Sequence, residues 1–266
     1  MRYALISDVH ANLPALEATL EAVAGESVDG YLCAGDLVGY GPHPNECIAL
    51  LREIGVVSVA GNHDLMALGR LPVDRADQLA RTTLSWSRER LDESACEFLA
   101  GLPTLVRVGE VVLAHGSLHN VQVYVEDAPA ARDQLAELAR VQPDASLLLL
   151  GHTHRPAGYA ERGGKLSAGR DNTIRAPAGE RWLINPGSVG QARERQPLVR
   201  FAVLDLERRE ARFHATRYDL ERTRRDLIRA GLPPTAAHRR PRLRSTISRA
   251  LKRVEGSRER ARRDIR

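Results

Sequence analysis

One feature restricts how this chain can fold more than any other. It has five short apolar runs, and each is followed at once by a polar group of Asp, Asn or His. The runs alternate with segments whose apolar residues recur at helical spacing. Such alternation predicts an α/β fold whose parallel strands end at one edge of a sheet. Ligands bind at that edge, so we expect the five groups to converge there. They are Asp8-Val9-His10, Gly35-Asp36, Gly61-Asn62-His63-Asp64, His115-Gly116 and Gly151-His152-Thr153-His154.

The alternation also predicts individual elements. Asn12 is suited to cap a helix whose first turn holds Pro14, and Gly109 lies in the turn of a predicted hairpin. We predict strands over 3–6, 31–34, 56–59, 105–108, 111–114 and 146–150. We predict helices over 13–23, 44–54, 75–90, 94–102 and 129–141. After Gly158, predicted strands over 182–184, 198–206 and 211–217 indicate a second, antiparallel layer.

Composition excludes several other classes of protein. The 266 residues are 43% hydrophobic and 27% charged, which is ordinary for a globular chain with one sizeable core. No apolar run approaches the roughly 20 residues of a membrane-spanning helix. Cys33, Cys47 and Cys96 form no pair typical of a disulfide framework or a zinc site. The N-terminus lacks the apolar stretch of a signal peptide, so we expect a cytoplasmic protein.

Positive charge is concentrated at the end of the chain. The whole chain has 39 basic and 34 acidic residues, whereas 222–266 alone has 16 and 4. We therefore predict a domain over 1–221 and an Arg-rich C-terminal extension over 222–266. In the extension, an apolar stripe from Leu243 to Val254 predicts a basic amphipathic helix. For this extension we favour packing on the acidic body or on another subunit, or partial disorder; contact with nucleic acid comes second, and contact with anionic lipid is a further alternative.

The side chains of the five polar groups are of the types that bind a borderline or hard divalent metal. Asp8 and His10 are two residues apart, so an extended backbone places both on one face. His152 and His154 have the same spacing, and the two oxygens of Asp36 can bridge two ions. Each group alone has a plain structural explanation, because Asn and Asp also cap helices and form turns. The occurrence of all five groups after predicted strands favours a site for two metal ions.

The ordered series DVH, GD, GNHD, HGS and GHTH resembles the calcineurin-like metallophosphoesterase superfamily. The segments SDVHANLPAL, GDLVGYGPHP and INPGS resemble its small YfcE-like phosphodiesterase branch. The resemblance covers residues 1–218 and implies a four-layer α/β/β/α sandwich. It also implies two sets of metal ligands that share one carboxylate. One ion would take Asp8, His10, Asp36 and His154, and the other Asp36, Asn62, His115 and His152.

The resemblance also implies a mechanism. Two cations would acidify a bridging water, and the resulting hydroxide would attack phosphorus in line with the leaving oxygen. His63 matches the family's catalytic histidine and would protonate the leaving group as general acid. Asp64 matches the acidic residue that orients this histidine, and we expect it to raise the charged fraction of the imidazole. Further candidates for substrate contact are Tyr40, His43, His119 and Arg155.

We predict a phosphodiesterase that depends on two divalent metal ions. Mn²⁺ is the expected metal, with Fe, Zn, Co or Ni as alternatives. The substrate would be a phosphate ester, with nucleotides among the candidates. The alternatives are a phosphomonoesterase or protein phosphatase, a nuclease that uses the basic extension, and a non-catalytic scaffold. A scaffold should have lost metal ligands or His63, yet all are present. A homo-oligomer is compatible with the sequence.

Overall fold

The computed structural model describes residues 1–74, 76–169 and 171–240, in which two sheets lie between layers of helices. The strands are β1 Arg2–Ile6, β2 Gly30–Cys33, β3 Val57–Ser58, β4 Leu105–Val108, β5 Val111–Ala114, β6 Leu147–Leu149, β7 Ala157–Ala160, β8 Gly164–Lys165, β9 Thr173–Arg175, β10 Trp182–Asn185, β11 Val199–Asp205 and β12 Glu210–Thr216. The helices are α1 Leu13–Ala24, α2 Pro44–Glu53, α3 Asn62–Ala67, α4 Gln78–Arg88, α5 Glu93–Gly101, α6 Ala128–Val141 and α7 Leu220–Arg229, followed by a 3₁₀ helix over Pro234–Ala237. The predicted α/β class is confirmed.

The first sheet has the strand order β3-β2-β1-β11-β12-β9, and its first three strands are parallel. β11 pairs antiparallel with β1, with Arg2 opposite Asp205 and Leu5 opposite Ala202. β12 then pairs antiparallel with β11. The strands predicted over 198–206 and 211–217 therefore extend the first sheet, and the prediction that they form a separate layer was wrong.

The second sheet has the order β4-β5-β6-β10-β7-β8. β4 and β5 form the predicted hairpin, and Gly109 in its turn has a φ of 59°. The strand predicted over 182–184 as antiparallel is parallel to β6, with Trp182 opposite Leu147, and antiparallel to β7. An apolar run specifies a strand but not its direction, which depends on how the chain returns to the sheet.

Side-chain alternation along the strands divides the core into three parts. Tyr3 and Leu5 of β1 pack between the two sheets, whereas Ala4 and Ile6 pack with α1, α2, α4, α5 and α7. On the far side, Val112 of β5 packs with α6. Burial of each large apolar side chain contributes about 1.5–3 kcal/mol. Three cores between four layers make up the expected α/β/β/α sandwich.

Five helices begin at an Asn or Asp whose side chain accepts a hydrogen bond from the backbone three residues later. These capping residues are Asn12, Asp77, Asp92, Asp127 and Asp219. The helix predicted after Asn12 is confirmed. The helix predicted over 75–90 starts at Gln78, because Asp77 supplies its cap.

The predicted boundary between residues 221 and 222 falls inside α7. The buried hydroxyl of Thr223 donates to Asn12 Oδ1 at 2.9 Å, and Leu227 is fully buried in the core beside α1. Residues 222–240 therefore pack on the body of the protein, whereas the helix predicted around 243–254 lies outside the described residues. Within the described ranges, no helix combines the length and the apolar character needed to cross a membrane.

Candidate metal centre

The five polar groups meet at the carboxyl ends of β1, β2 and β3 of the first sheet and of β5 and β6 of the second. Their potential ligand atoms form neighbouring sets within which all atoms lie within 4.8 Å of one another. The sets are Asp8, His10 and His154; His10, Asp36 and His63; and Asp36, His115 and His152. All of these residues are buried, so both sheets contribute to one enclosed cluster.

Asp36 lies between the other members of the cluster. Its Oδ2 is 3.7 Å from His10 Nε2 and 3.3 Å from His115 Nε2, and its Oδ1 accepts the backbone N–H of His63 at 2.8 Å. Asn62 Oδ1 is 3.1 Å from His115 Nε2. This is the central position that a shared carboxylate requires.

Backbone carbonyl groups fix the protonation of three histidines. The Nδ1 atoms of His10, His115 and His154 lie 3.1, 2.6 and 2.7 Å from the carbonyl oxygens of Val38, Ala34 and Gln191. Because a carbonyl only accepts, each Nδ1 carries the proton and a neutral ring leaves Nε2 as a bare lone pair. His10 Nε2 and His154 Nε2 are 3.1 Å apart. Two lone pairs therefore face each other in the buried cluster.

Burial keeps most of these imidazoles neutral. It lowers the pKa of His10 well below its usual value, lowers that of His154, and lowers that of His152 to about 3. Burial opposes charge on His115 as well, but the Asp36 carboxylate outweighs it and raises the pKa of His115 to about 9. Neutral imidazoles beside a carboxylate are the forms that bind a metal.

Asp8 Oδ1 and His152 Nε2 are buried in the cluster and have no hydrogen-bond partner among the described residues. The other oxygen of Asp8 accepts from Ser7 Oγ at 2.7 Å and from His152 N at 3.1 Å. Unpaired buried polar atoms are costly, because nothing replaces the water they lose. These atoms and the facing nitrogens of His10 and His154 therefore fit the requirements of divalent cations.

The backbone of the ligand segments is held in a conformation that few residues adopt. Positive φ angles, between 49° and 66°, occur at Asp8, His10, Asp36, His152 and His154. Each such non-glycine residue costs about 1–3 kcal/mol. Hydrogen bonds between the segments hold this conformation, from Asp8 N to Gly35 O at 2.9 Å and from His10 N to Asp36 O at 3.0 Å.

The segment Asn185–Ser188 supports two of the ligand segments. Asn185 Nδ2 donates to Gly151 O at 2.5 Å and to Thr153 Oγ1 at 3.0 Å. Ser188 Oγ donates to the carbonyl of Asp8 at 2.9 Å. The segment therefore holds the backbone of Gly151 and the side chain of Thr153, on either side of His152, and the backbone of Asp8.

Asp64 does not orient His63, and this prediction was wrong. Its two oxygens accept backbone N–H groups of Asp36, Leu37, Val38 and Gly61 at 2.8–3.1 Å. His63 Nδ1 has no partner among the described residues, and burial lowers the pKa of this histidine. Burial and the Asp36 carboxylate raise the pKa of Asp64 to about 7. Asp64 instead holds the turn that carries Asp36.

His63 lines a cleft of about 320 Å³ above the cluster. Its ring centroid lies 4.8 Å from those of His10 and Tyr40. Gly39, with a φ of 84°, leaves room for the imidazole, because a Cβ at this position would overlap His63 Nδ1. The Nδ1 side is thus packed against backbone.

Of the four further candidates for substrate contact, the structure brings one to the cleft. Tyr40 forms part of its wall and is 3% exposed. His43 Nε2 instead lies 3.4 Å from Asp226 of α7, and His119, whose side chain is 63% exposed, lies 2.6 Å from Glu137. Arg155 lines a neighbouring groove. Proximity to a motif along the chain did not specify where these side chains point.

The sequence does not identify Tyr124 and Arg239 as cleft residues, and Arg193, considered as a contact for a substrate phosphate, was interpreted as a surface arginine. Tyr124 stacks on His152 with a centroid distance of 3.9 Å and is 48% exposed. Arg193, which the sequence does not distinguish from a surface arginine, reaches the cleft beside Tyr124. Its buried Nε has no hydrogen-bond partner in the described part of the chain. Arg239 also lines the cleft, from a segment far from every motif.

Comparison with known proteins agrees with this geometry. A family model for the calcineurin-like phosphoesterase superfamily domain matches residues 1–209. An uncharacterized protein of Methanocaldococcus jannaschii is 28% identical over 234 residues, which are 86% of this chain and 93% of that protein. The crystal structure of a metallophosphoesterase from Sphaerobacter thermophilus is 32% identical and covers 89% of this chain and 97% of its own, with a TM-score of 0.76. A hypothetical protein from Pyrococcus horikoshii, 19% identical, shares the fold over 89% of this chain and 96% of its own, with a TM-score of 0.71. The chain therefore belongs to the calcineurin-like phosphoesterase superfamily.

Proposed function

We propose that this protein is a phosphodiesterase that requires two divalent metal ions. The observation that carries the proposal is the pair of bare nitrogens on His10 and His154, 3.1 Å apart and next to the unpaired Oδ1 of Asp8. A divalent cation would stabilise such an arrangement of buried acceptors without protonating them. The residues that would hold one ion are Asp8, His10, Asp36 and His154, and those that would hold the other are Asp36, Asn62, His115 and His152.

Two such ions, when bound, neutralise the oxygens of a phosphate ester and lower the pKa of water. Mn²⁺ is the ion we propose, because carboxylate, amide and neutral imidazole ligands suit it. The protein's own contribution is to fix the ligand atoms beforehand, through the carbonyl groups that bind the histidine Nδ1 atoms and through the backbone held by Asp64.

His63 is the proposed general acid. Its Nδ1 side is packed against Gly39, so Nε2 is the atom that can face a substrate in the cleft. From there it would deliver a proton to the leaving oxygen, a contribution of roughly 10²–10⁴ in rate.

The shape of the cleft supports a diester substrate. On one side it is bordered by the exposed ring of Tyr124, and on the other Arg193 and Arg239 lead into an adjoining groove. A phosphate diester carries two organic groups, so the cleft must have room for one on each side of the phosphate. A monoester carries one organic group and needs room on one side.

A paired rate measurement tests the proposal. Metal-free protein is refilled with Mn²⁺ and assayed on bis-p-nitrophenyl phosphate and on p-nitrophenyl phosphate, beside a metal-free control. We expect metal-dependent turnover with the higher kcat/KM for the diester. Preference for the monoester would replace the proposal by a phosphomonoesterase. Two bound ions with no turnover on either substrate would contradict it and favour a scaffold.

A further inference from the structure

A second and larger cavity adjoins the cleft on the side of α7 and the 3₁₀ helix. It has a volume of about 1070 Å³, slightly above the range of about 300–1,000 Å³ that is typical of ligand sites. We call it the arginine groove, because its walls include Arg155, Arg193, Arg224, Arg225, Arg239 and Arg240. Among the described residues, the acidic side chain in its wall is Glu221.

The arginines of the groove are weakly held by acids. Arg224 lies 2.6 Å from Glu221 and Arg225 lies 4.0 Å from Asp219, and all four side chains are at least 41% exposed. Exposed ion pairs of this kind contribute little to stability, so an anionic ligand can replace the acidic partner of each arginine. Neither Arg193 nor Arg240 forms an ion pair within the described ranges. The groove therefore offers more positive charge than the protein neutralises.

The groove and the metal cleft share part of their walls. Arg193 and Arg239 line both, and the buried Nε of Arg193 is unpaired where the two cavities meet. Arg239 forms an ion pair with Asp77, whereas Arg193 forms no ion pair with any described residue. A ligand with one phosphate in the cleft would thus meet an available guanidinium at the entrance to the groove.

One wall of the groove is apolar. Leu79, Pro234 and Ile228 contribute to it, and Ile228 is 61% exposed. In the part of the chain that the structure describes, the lining contains no Phe, Tyr or Trp on which bases could stack. Single-stranded nucleic acid is usually bound on such aromatic platforms. A chain of phosphates on the arginines fits better.

We propose that the arginine groove is a second anion subsite, which binds the outer phosphates of a nucleoside polyphosphate whose reacting phosphate lies in the cleft. The inference rests on the proposed function for the identity of the reacting phosphate. Planar guanidinium groups bind phosphate oxygens through two donors, so a row of arginines selects for substrates with several phosphates.

Equilibrium binding to the metal-free, full-length protein tests the subsite separately from catalysis. ATP and AMP are titrated calorimetrically into the wild type, a groove variant and a control variant. The groove variant is Arg224→Ala with Arg225→Ala. The control, Arg222→Ala with Arg229→Ala, removes the same charge from α7 at positions that do not line the groove.

We expect the wild type to bind ATP more tightly than AMP. The groove variant should lose about tenfold in ATP affinity, corresponding to the loss of charge-assisted contacts, and the control less than about twofold. Equal losses in both variants, or no loss in either, would overturn the subsite. Tighter binding of a twelve-residue oligothymidylate than of ATP, abolished in the groove variant, would replace it by a nucleic-acid site.

Hydrolysis of bis-p-nitrophenyl phosphate by the Mn²⁺-loaded groove variant separates the two proposals. This substrate has one phosphate and therefore places no phosphate against Arg224 or Arg225, so its KM should match that of the wild type. If no protein hydrolyses it, the proposed function fails while the binding result stands. A KM raised as much as the ATP dissociation constant would show that the substitutions disturb the cleft, and would overturn a separate subsite.

Discussion

At the scale of single residues, Asp36 is the side chain on which both parts of the proposed metal centre depend. We expect Asp36→Asn to weaken both ions together, by about tenfold or more, since even partners outside the ligand set alter metal affinity by about 10–100-fold. Metal content after dialysis measures the change, with the exposed substitution Asp133→Asn as control. Two ions still held by Asp36→Asn would show that the carboxylate is not shared.

His63 can be tested at the same scale without disturbing the ligands. His63→Ala should retain both ions and lose about 10²–10⁴ in kcat, because it removes the proposed proton donor. His119→Ala is a matched control, since this exposed histidine lies on Glu137 and away from the cleft. Turnover near the wild-type rate in His63→Ala would remove His63 from the acid role.

The positions of the candidate ligands could be predicted from the sequence because each directly follows a strand. The role of Asp64 could not, because two neighbouring residues in a helix point in different directions and share no contact. The cleft positions of Arg193 and Tyr124 depend on how distant loops pack, and nothing in the local sequence indicates this.

At the scale of elements, the turn after β6 packs tightly against the turn after β1. A Cβ on Gly151 would overlap Ser7 Oγ and lie 3.0 Å from Asp8 Oδ2. We expect Gly151→Ala to displace Asp8 or the histidines that follow, lowering metal affinity about 10–100-fold while the fold persists. Metal titration monitored beside thermal unfolding measures both effects.

Gly101→Ala is the matched control for this element, because no atom outside the helix lies within 4 Å of a Cβ added there. It should leave metal affinity unchanged and stabilise α5 by up to about 1 kcal/mol. Unaltered metal affinity in Gly151→Ala would mean that the two turns need not be in close contact for the site to form.

The elements themselves differed in how far the sequence specified them. The apolar patterns of β1, β4 and β5 are long enough to identify a strand and are bounded by clear turns. These three strands occur where predicted. α3, with six residues, is too short to show helical periodicity, and it went unpredicted. The neighbours of β10 and β11 depend on contacts between segments far apart in the chain.

At the scale of the whole molecule, the sequence predicted the layers of the sandwich but not the extent of its last helix. Apolar alternation implied a sheet with helices, and the resemblance implied the second sheet. The predicted boundary at residue 222 follows a change in charge composition, whereas α7 continues across it to Arg229. The positive charge of α7 faces the arginine groove as well as solvent, so composition alone could not separate a tail from a wall of the cavity.

The proposed metal centre also joins the two sheets, since its ligands follow strands of both. Ions that bind the folded state alone should therefore stabilise the whole sandwich, by about 2.7 kcal/mol at a concentration 100 times Kd. For a protein of this size we expect Mn²⁺ to raise the Tm of the metal-free chain by about 5–10 °C. Thermal unfolding of the wild type and of Asp36→Asn, with and without Mn²⁺, measures the effect. An equal rise in Asp36→Asn would place the stabilising ion outside the cluster, because an ion held there must lose affinity with its central carboxylate.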